Sequence, residues 1–191
     1  NFTIDPITFE LVRQQLNAIS NEMMITIQRT GRSPTTTQAF DFSASFMDQN
    51  GNTLDQAIGV PLHMGTIPSA MKSILDKFRG AIDPNDILIM NDPYTGGMHL
   101  PDIYVVVPIT IDGEKNTPFA YAVSVVHHVD VGGRAAGSMA HDSTEIYQEG
   151  LRIPPLKLFD DGNLNKTLVE MIRQNVRPPD IVIGDIMGQV A

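Results

Sequence analysis

The chain has 191 residues, 42% hydrophobic and 18% charged, which suits a folded domain with its own core rather than a disordered segment. A formal net charge of −9 argues against nucleic acid or an anionic membrane surface as a partner. With no cysteine, disulfides, thiolate metal sites and thiol catalysis are excluded, and a cytoplasmic setting is expected.

No apolar run reaches the ~18 residues that a membrane span needs. The N-terminus also lacks the basic-then-apolar pattern of a secretion signal. Pro6 sits where a first helical turn tolerates proline. Ile7, Leu11, Leu16, Ile19, Met23 and Ile27 then recur at three-to-five spacing. This predicts one long amphipathic helix from about 5 to 30, with its stripe serving as core or subunit interface. Gly31-Arg32-Ser33-Pro34 ends it. Phe40 to Met47 alternates polar and apolar and predicts a strand with Asp41, Ser43 and Ser45 on one face. Asn50-Gly51 is a hairpin-type turn. Residues 66 to 79 predict a second helix, Asp83 to Asp86 a turn, and Ile87 to Met90 a short buried strand.

Ile103 to Ile111 and Phe119 to Val126 are apolar and β-branched, and a polar linker, Asp112 to Pro118, joins them. The pair predicts an antiparallel hairpin. Residues 132 to 150, rich in glycine and serine, predict a long ordered loop, and loops of that length are often functional. Leu164 to Val176 predicts a helix, and Asp180 to Ala191 opens another that ends uncapped, as in a fragment of something larger. The expected fold class is α+β: a mixed, largely antiparallel sheet with a long N-terminal helix and C-terminal helices.

Two histidine–aspartate clusters carry the chemistry. The first lies in Asn91-Asp92-Pro93-Tyr94-Thr95-Gly96-Gly97-Met98-His99-Leu100-Pro101-Asp102, and the second is His127-His128-Val129-Asp130-Val131-Gly132-Gly133. Neutral imidazole and carboxylate are the usual ligands of catalytic Zn²⁺ or Mn²⁺. His99 and Asp102 precede the first strand of the hairpin and His127 follows the second, so both clusters fall at one sheet edge. In an extended strand His127 and His128 face opposite ways, so only one joins a site built by His99. Asp41, on another strand, can add a carboxylate.

Gly96-Gly97 and Gly132-Gly133 either let a ligand approach the backbone or simply make tight turns. Neither forms a phosphate loop, so ATP is not expected to bind this chain. Arg29, Arg32, Arg134 and Arg152 are candidate anion holders, with surface ion pairs as the plainer reading. His63 and His141 have no constellation of their own. Ser138 and Ser143 lack the elbow motif of a serine triad.

The chain resembles the hydantoinase B/oxoprolinase family along essentially its whole length. Asp5-Pro6-Ile7-Thr8-Phe9-Glu10, Arg29-Thr30 through Ser33-Pro34, Asp41-Phe42-Ser43 and Asn91-Asp92-Pro93-Tyr94 carry the resemblance. It continues through Gly96 to Asp102, His127 to Gly133, Gly137-Ser138-Met139 and Glu149 to Pro155. Because members are usually longer, residues 1–191 read as a single N-terminal, metal-binding portion of a longer subunit. The resemblance implies one divalent metal, Zn²⁺ or Mn²⁺, held by Asp41, His99, Asp102 and His127, with His127 fitting the pattern better than His128.

It further implies a hetero-oligomer with a hydantoinase A-like subunit that binds ATP and phosphorylates a small-molecule substrate. The leading expectation is ATP-dependent opening of a cyclic amide such as a hydantoin or 5-oxoproline. The metal would activate water, and Asp130 or Asp92 would act as general base. The alternatives are an ATP-dependent ketone carboxylase of the acetone or acetophenone type, and a non-catalytic scaffold with a structural metal.

Overall fold

In the computed structural model, residues 4–111 and 118–191 are described. The polar linker expected at 112–118 therefore lies outside the described residues, Pro118 apart. The order is α1 (Pro6–Thr30), α2 (Pro34–Thr37), β1 (Phe42–Asp48), β2 (Thr53–Gln56), α3 (Pro61–Phe78), β3 (Ile87–Met90), β4 (Asp102–Ile109), β5 (Ala120–His127), β6 (Leu156–Asp160), β7 (Asn163–Leu164), α4 (Lys166–Asn175) and α5 (Pro179–Val190). The strands form one antiparallel sheet in the order β2-β1-β5-β4-β3-β6-β7. The α+β expectation therefore holds. No described helix is long and apolar enough to cross a membrane.

Alternation along the central strands sends side chains to two apolar layers. Tyr104 and Val106 of β4, with Val123 and Val125 of β5, pack under Ile67, Ala70, Met71 and Ile74 of α3. Ile103 and Val105 face the other way, toward Leu168 and Ile172 of α4 and Val182 and Ile186 of α5. Both faces are covered, which explains why β4 and β5 read as continuous apolar runs.

Asp5 caps α1, its carboxylate accepting from the amides of Ile7 and Thr8. The stripe of α1 is used unevenly. Ile27 is buried against Phe42 and Val126, whereas Ile7, Leu11 and Ile19 are exposed.

Three differences from the sequence reading concern element ends. α3 starts at Pro61, five residues before the expected 66, because proline suits a first helical turn and Pro68 is tolerated within the helix. β2 and β6 were not expected; their alternation is too short to stand out. Asn163–Leu164 pairs as β7, and Asn165 caps α4 through the Leu168 amide, so that helix begins two residues late.

Two polar groups staple the loops around the sheet. Asn91, fully buried, donates to the carbonyls of Leu100 (2.6 Å) and Leu151 (2.9 Å) and accepts from the Ile153 amide (2.6 Å). Asp130 gathers the 132–150 loop: it accepts from the amides of Gly132 (2.7 Å) and Gly137 (2.8 Å) and from Arg177 (2.9 Å). Arg177 also donates to the carbonyls of Gly132, Gly133 and Ala135. Burial alone would push the Asp130 carboxyl up, but the two amides and the guanidinium outweigh it and hold it below the usual range. Gly132, at φ 94°, meets the Asn175 carbonyl so closely that a Cβ would collide with it, so this glycine serves close packing within the chain.

Replacing Asn91 by Ala should cost about 2–4 kcal/mol, because three buried backbone groups lose their partner. The change is read as a fall in Tm of roughly 5–10 °C; an unchanged Tm would show that the three segments are held by other means. Arg177→Met should cost about 1–3 kcal/mol at neutral pH. Asp130 is depressed in the folded state, so its contribution is present above the unfolded carboxylate value of about 3.9. It is lost as pH falls through the lower folded value, and the gap between wild type and variant should close there in urea titrations.

Candidate metal centre

The site is set by backbone register. β5 runs between β1 and β4, with Asp102 paired to His127. One step beyond the Phe42–Val126 pair, the His127 amide donates to the Asp41 carbonyl (2.9 Å). Residues opposite one another across an antiparallel ladder share a face. Asp41, His127 and Asp102 therefore stand side by side on the α3 side of the sheet. Leu100-Pro101 makes a turn in which the Asp102 amide donates to the His99 carbonyl (3.0 Å), and this returns the His99 ring to the same place.

Asp102 is the centre of the cluster and has no exposed side-chain surface. Its Oδ2 lies 2.8 Å from His99 Nδ1, and its Oδ1 lies 3.5 Å from His127 Nδ1 and 3.4 Å from His63 Nε2. Asp41, partly exposed, lies 3.8 Å from both His127 Nδ1 and His63 Nε2. The rings of His99 and His127 are 5.0 Å apart. Burial would raise the Asp102 carboxyl, but the imidazoles of His127, His63 and His99 outweigh it and hold it far below the usual carboxylate range. Burial works against charge on His99 as well, yet Asp102 overrides it and lifts the imidazole above its ordinary value.

These residues fit a cation. Donor atoms of His99, Asp102 and His127 lie within 4.8 Å of one another, and this is the one such group among the described residues. His99 Nδ1 and both Asp102 oxygens are buried and make no aligned hydrogen bond, although they lie close together. Orphaned buried donors and acceptors are costly unless something satisfies them. Ligand bonds of ~2.1 Å in tetrahedral geometry put donor atoms ~3.4 Å apart, close to the spacings around Asp102 Oδ1. A shallow cleft of about 170 Å³ opens beside His99, lined by Pro101, Ser138, Met139, Ala140, His141 and Glu149.

The expected set of Asp41, His99, Asp102 and His127 is thus brought together at one sheet edge, with Asp41 on its outer side. His128 points away, as alternation requires. It is fully buried, bonds Gln189 Oε1 through Nε2 (3.1 Å), and is pushed down by burial to about 4. Asp130 and Asp92, expected as general bases, are committed elsewhere. Asp130 ties the loop to Arg177, while Asp92 caps a turn through the Tyr94 amide and faces Arg152 at 3.8 Å. Ser138 Oγ bonds the Val131 amide and the Gly132 carbonyl.

Among the arginines, Arg134 pairs with Asp142, and Arg152 stacks near the rings of Tyr94 and Tyr147. His63 is the residue the sequence reading missed. Its signal was the i, i+4, i+7, i+8, i+11 series His63, Ile67, Ala70, Met71, Ile74, which places it on the buried face of α3.

An uncharacterized protein of Methanocaldococcus jannaschii is 39% identical over 98% of this chain and 33% of its own length. The caprolactamase beta subunit of Pseudomonas jessenii is 33% identical over 98% of this chain and 32% of its own. The crystal structure of the ATP-dependent caprolactamase from Pseudomonas jessenii superposes with a TM-score of 0.91 at 32% identity, over 99% of this chain and 32% of that one. A nucleotide-free acetone carboxylase structure, at 23% identity and a TM-score of 0.82, covers 97% of this chain and 25% of that one, and shows a shared fold. The chain spans about a third of the length of the first of these relatives. The model of the hydantoinase B/oxoprolinase family matches residues 5–191, and with the relatives above it shows that this chain belongs to that family.

Proposed function

We propose that this chain is the cation-holding portion of a subunit of an ATP-dependent amidohydrolase that opens cyclic amides, of the hydantoin, 5-oxoproline or lactam class. The observation that carries the reading is the convergence of Asp41, His127 and Asp102 from three adjacent strands, with His99 closing the cluster. It occurs in a chain that matches a caprolactamase beta subunit over almost its full extent. Asp41, His99, Asp102 and His127 would hold one divalent ion, Zn²⁺ or Mn²⁺, both of which accept imidazole and carboxylate. When bound, such an ion lowers the pKa of a water and polarises an acyl oxygen.

The chain's own groups supply the rest. Asp102 provides a buried negative charge aimed at the ion position, and the strand register keeps its neighbours from moving away. The cleft beside His99 gives substrate its approach. His141 and Glu149 are the other titratable groups in its wall, within the ordered loop that Asp130 and Arg177 gather, and they are placed to relay protons. The sequence has no phosphate-binding loop, so ATP and phosphorylation of the amide oxygen fall to a hydantoinase A-like partner, making the enzyme a hetero-oligomer.

The full-length subunit purified with that partner should contain about one divalent ion per chain and open hydantoin, 5-oxoproline or caprolactam only with ATP. His99→Ala should lower both metal content and turnover at least ~100-fold; retained metal with full turnover would refute the assignment. Incorporation of bicarbonate into acetone or acetophenone without ring opening would move the enzyme to the carboxylase class. Metal content with neither activity would leave a scaffold.

Proton and cation compete for the same nitrogens. His99 is raised, so affinity for Zn²⁺ should begin to fall above the ordinary imidazole range as pH is lowered, and it should keep falling through that range. Competition with a chromophoric chelator across pH 8 to 5.5 measures this; a flat profile would exclude the imidazoles as ligands.

A further inference from the structure

Resting on the cation-site reading above, we propose that His63 is a positioning residue of this centre: held by Ser43 at Nδ1, it presents Nε2–H to Asp102 and fixes the carboxylate for the ion. His63 lies in the first turn of α3 and is 1% exposed. Its neighbours along that face are apolar core residues, so a polar ring there is costly unless both nitrogens are engaged.

Nδ1 lies 3.3 Å from Ser43 Oγ. That oxygen already accepts the Val60 amide (3.0 Å), which leaves the hydroxyl proton for the imidazole. The ring's own proton then sits on Nε2, facing Asp102 Oδ1 at 3.4 Å and Asp41 Oδ1 at 3.8 Å. A nitrogen that carries a proton donates and does not ligate. His63 also stands outside the group whose donor atoms all fall within 4.8 Å.

The approach of residues 57–60 to β1 is what makes this arrangement. A Cβ on Gly59 would lie 2.5 Å from Ser43 Oγ and 3.0 Å from the Phe42 carbonyl, so only glycine lets Val60 reach Ser43 there. Gly59, Val60, Ser43 and His63 thus form a relay of contacts ending on the central carboxylate. Groups that orient a ligand in this way typically contribute 10–100-fold to metal affinity.

The test is Zn²⁺ affinity of the full-length subunit by chelator competition, with thermal unfolding of each metal-free variant as the folding control. His99→Ala and wild type set the scale: absence of Zn²⁺ binding by wild type would sink the cation site itself, independently of His63. His63→Leu should lose about 10–100-fold in affinity. His63→Gln, whose amide nitrogen reaches the Nε2 position, should recover most of it, and Ser43→Ala should show a smaller loss while keeping the ring. The visible spectrum of the Co²⁺-loaded protein should keep its band positions in His63→Gln. Wild-type affinity in His63→Leu would overturn the proposal. So would a His63→Gln variant as weak as His63→Leu with a shifted Co²⁺ spectrum, or two ions per chain, either of which makes His63 a ligand. Should His63→Leu fail to fold, Ser43→Ala decides: unchanged affinity there overturns the proposal.

Discussion

The hydrogen bond from the His127 amide to the Asp41 carbonyl, 2.9 Å long, extends the β1–β5 ladder one step past its last paired strand residues. With Asp102 opposite His127 on the other side, it lines three candidate ligands across three strands. A slip of one residue in either ladder would turn a ligand to the opposite face and bury it among α4 and α5. The two apolar layers make such a slip costly, because Tyr104, Val106, Val123 and Val125 would change sides with it. The hydrophobic pattern that builds the sheet therefore also aims the ligands.

Asp102 is the second element of this logic. A lone carboxylate with no exposed surface is strongly disfavoured. Here three imidazoles surround it, and their combined effect exceeds the penalty of burial. The same arrangement leaves its oxygens without aligned hydrogen bonds. A group held charged, buried and unsatisfied is prepared for a cation more than for folding, and stability is drawn from elsewhere: the α3 core, the Asn91 staple and the Arg177 clamp.

The C-terminal helix contributes from behind the sheet. Asp185 of α5 accepts the amides of Arg32 (2.5 Å) and Ser33 (3.2 Å), which steadies the α2 turn just ahead of Asp41. Gln189 bonds His128 and donates to the Ile103 carbonyl (3.0 Å), the backbone neighbours of His127 and Asp102. Both ends of the ligand row are thus braced by one helix without any of its side chains entering the site.

Much of this was legible in the residues themselves. The spacing of His99 and Asp102 around Pro101, the β-branched runs of β4 and β5, and the alternation that separates His127 from His128 follow from local geometry, as do the long α1 and the hairpin placing both clusters at one edge. The roles of Asp130 and Asp92 were not legible, because proximity in sequence to a histidine says nothing about which distant donor, Arg177 or a turn amide, claims a carboxylate. Nor was His63. Periodicity could place it on the buried face of α3, but only the packing of that helix on the sheet shows that the face meets Asp102. Sequence by itself determined the elements and the ligand types, since short-range sterics and hydrophobic period act within a few residues. The tertiary structure alone decided which polar groups meet, since those partners lie tens of residues apart and are selected by register and packing.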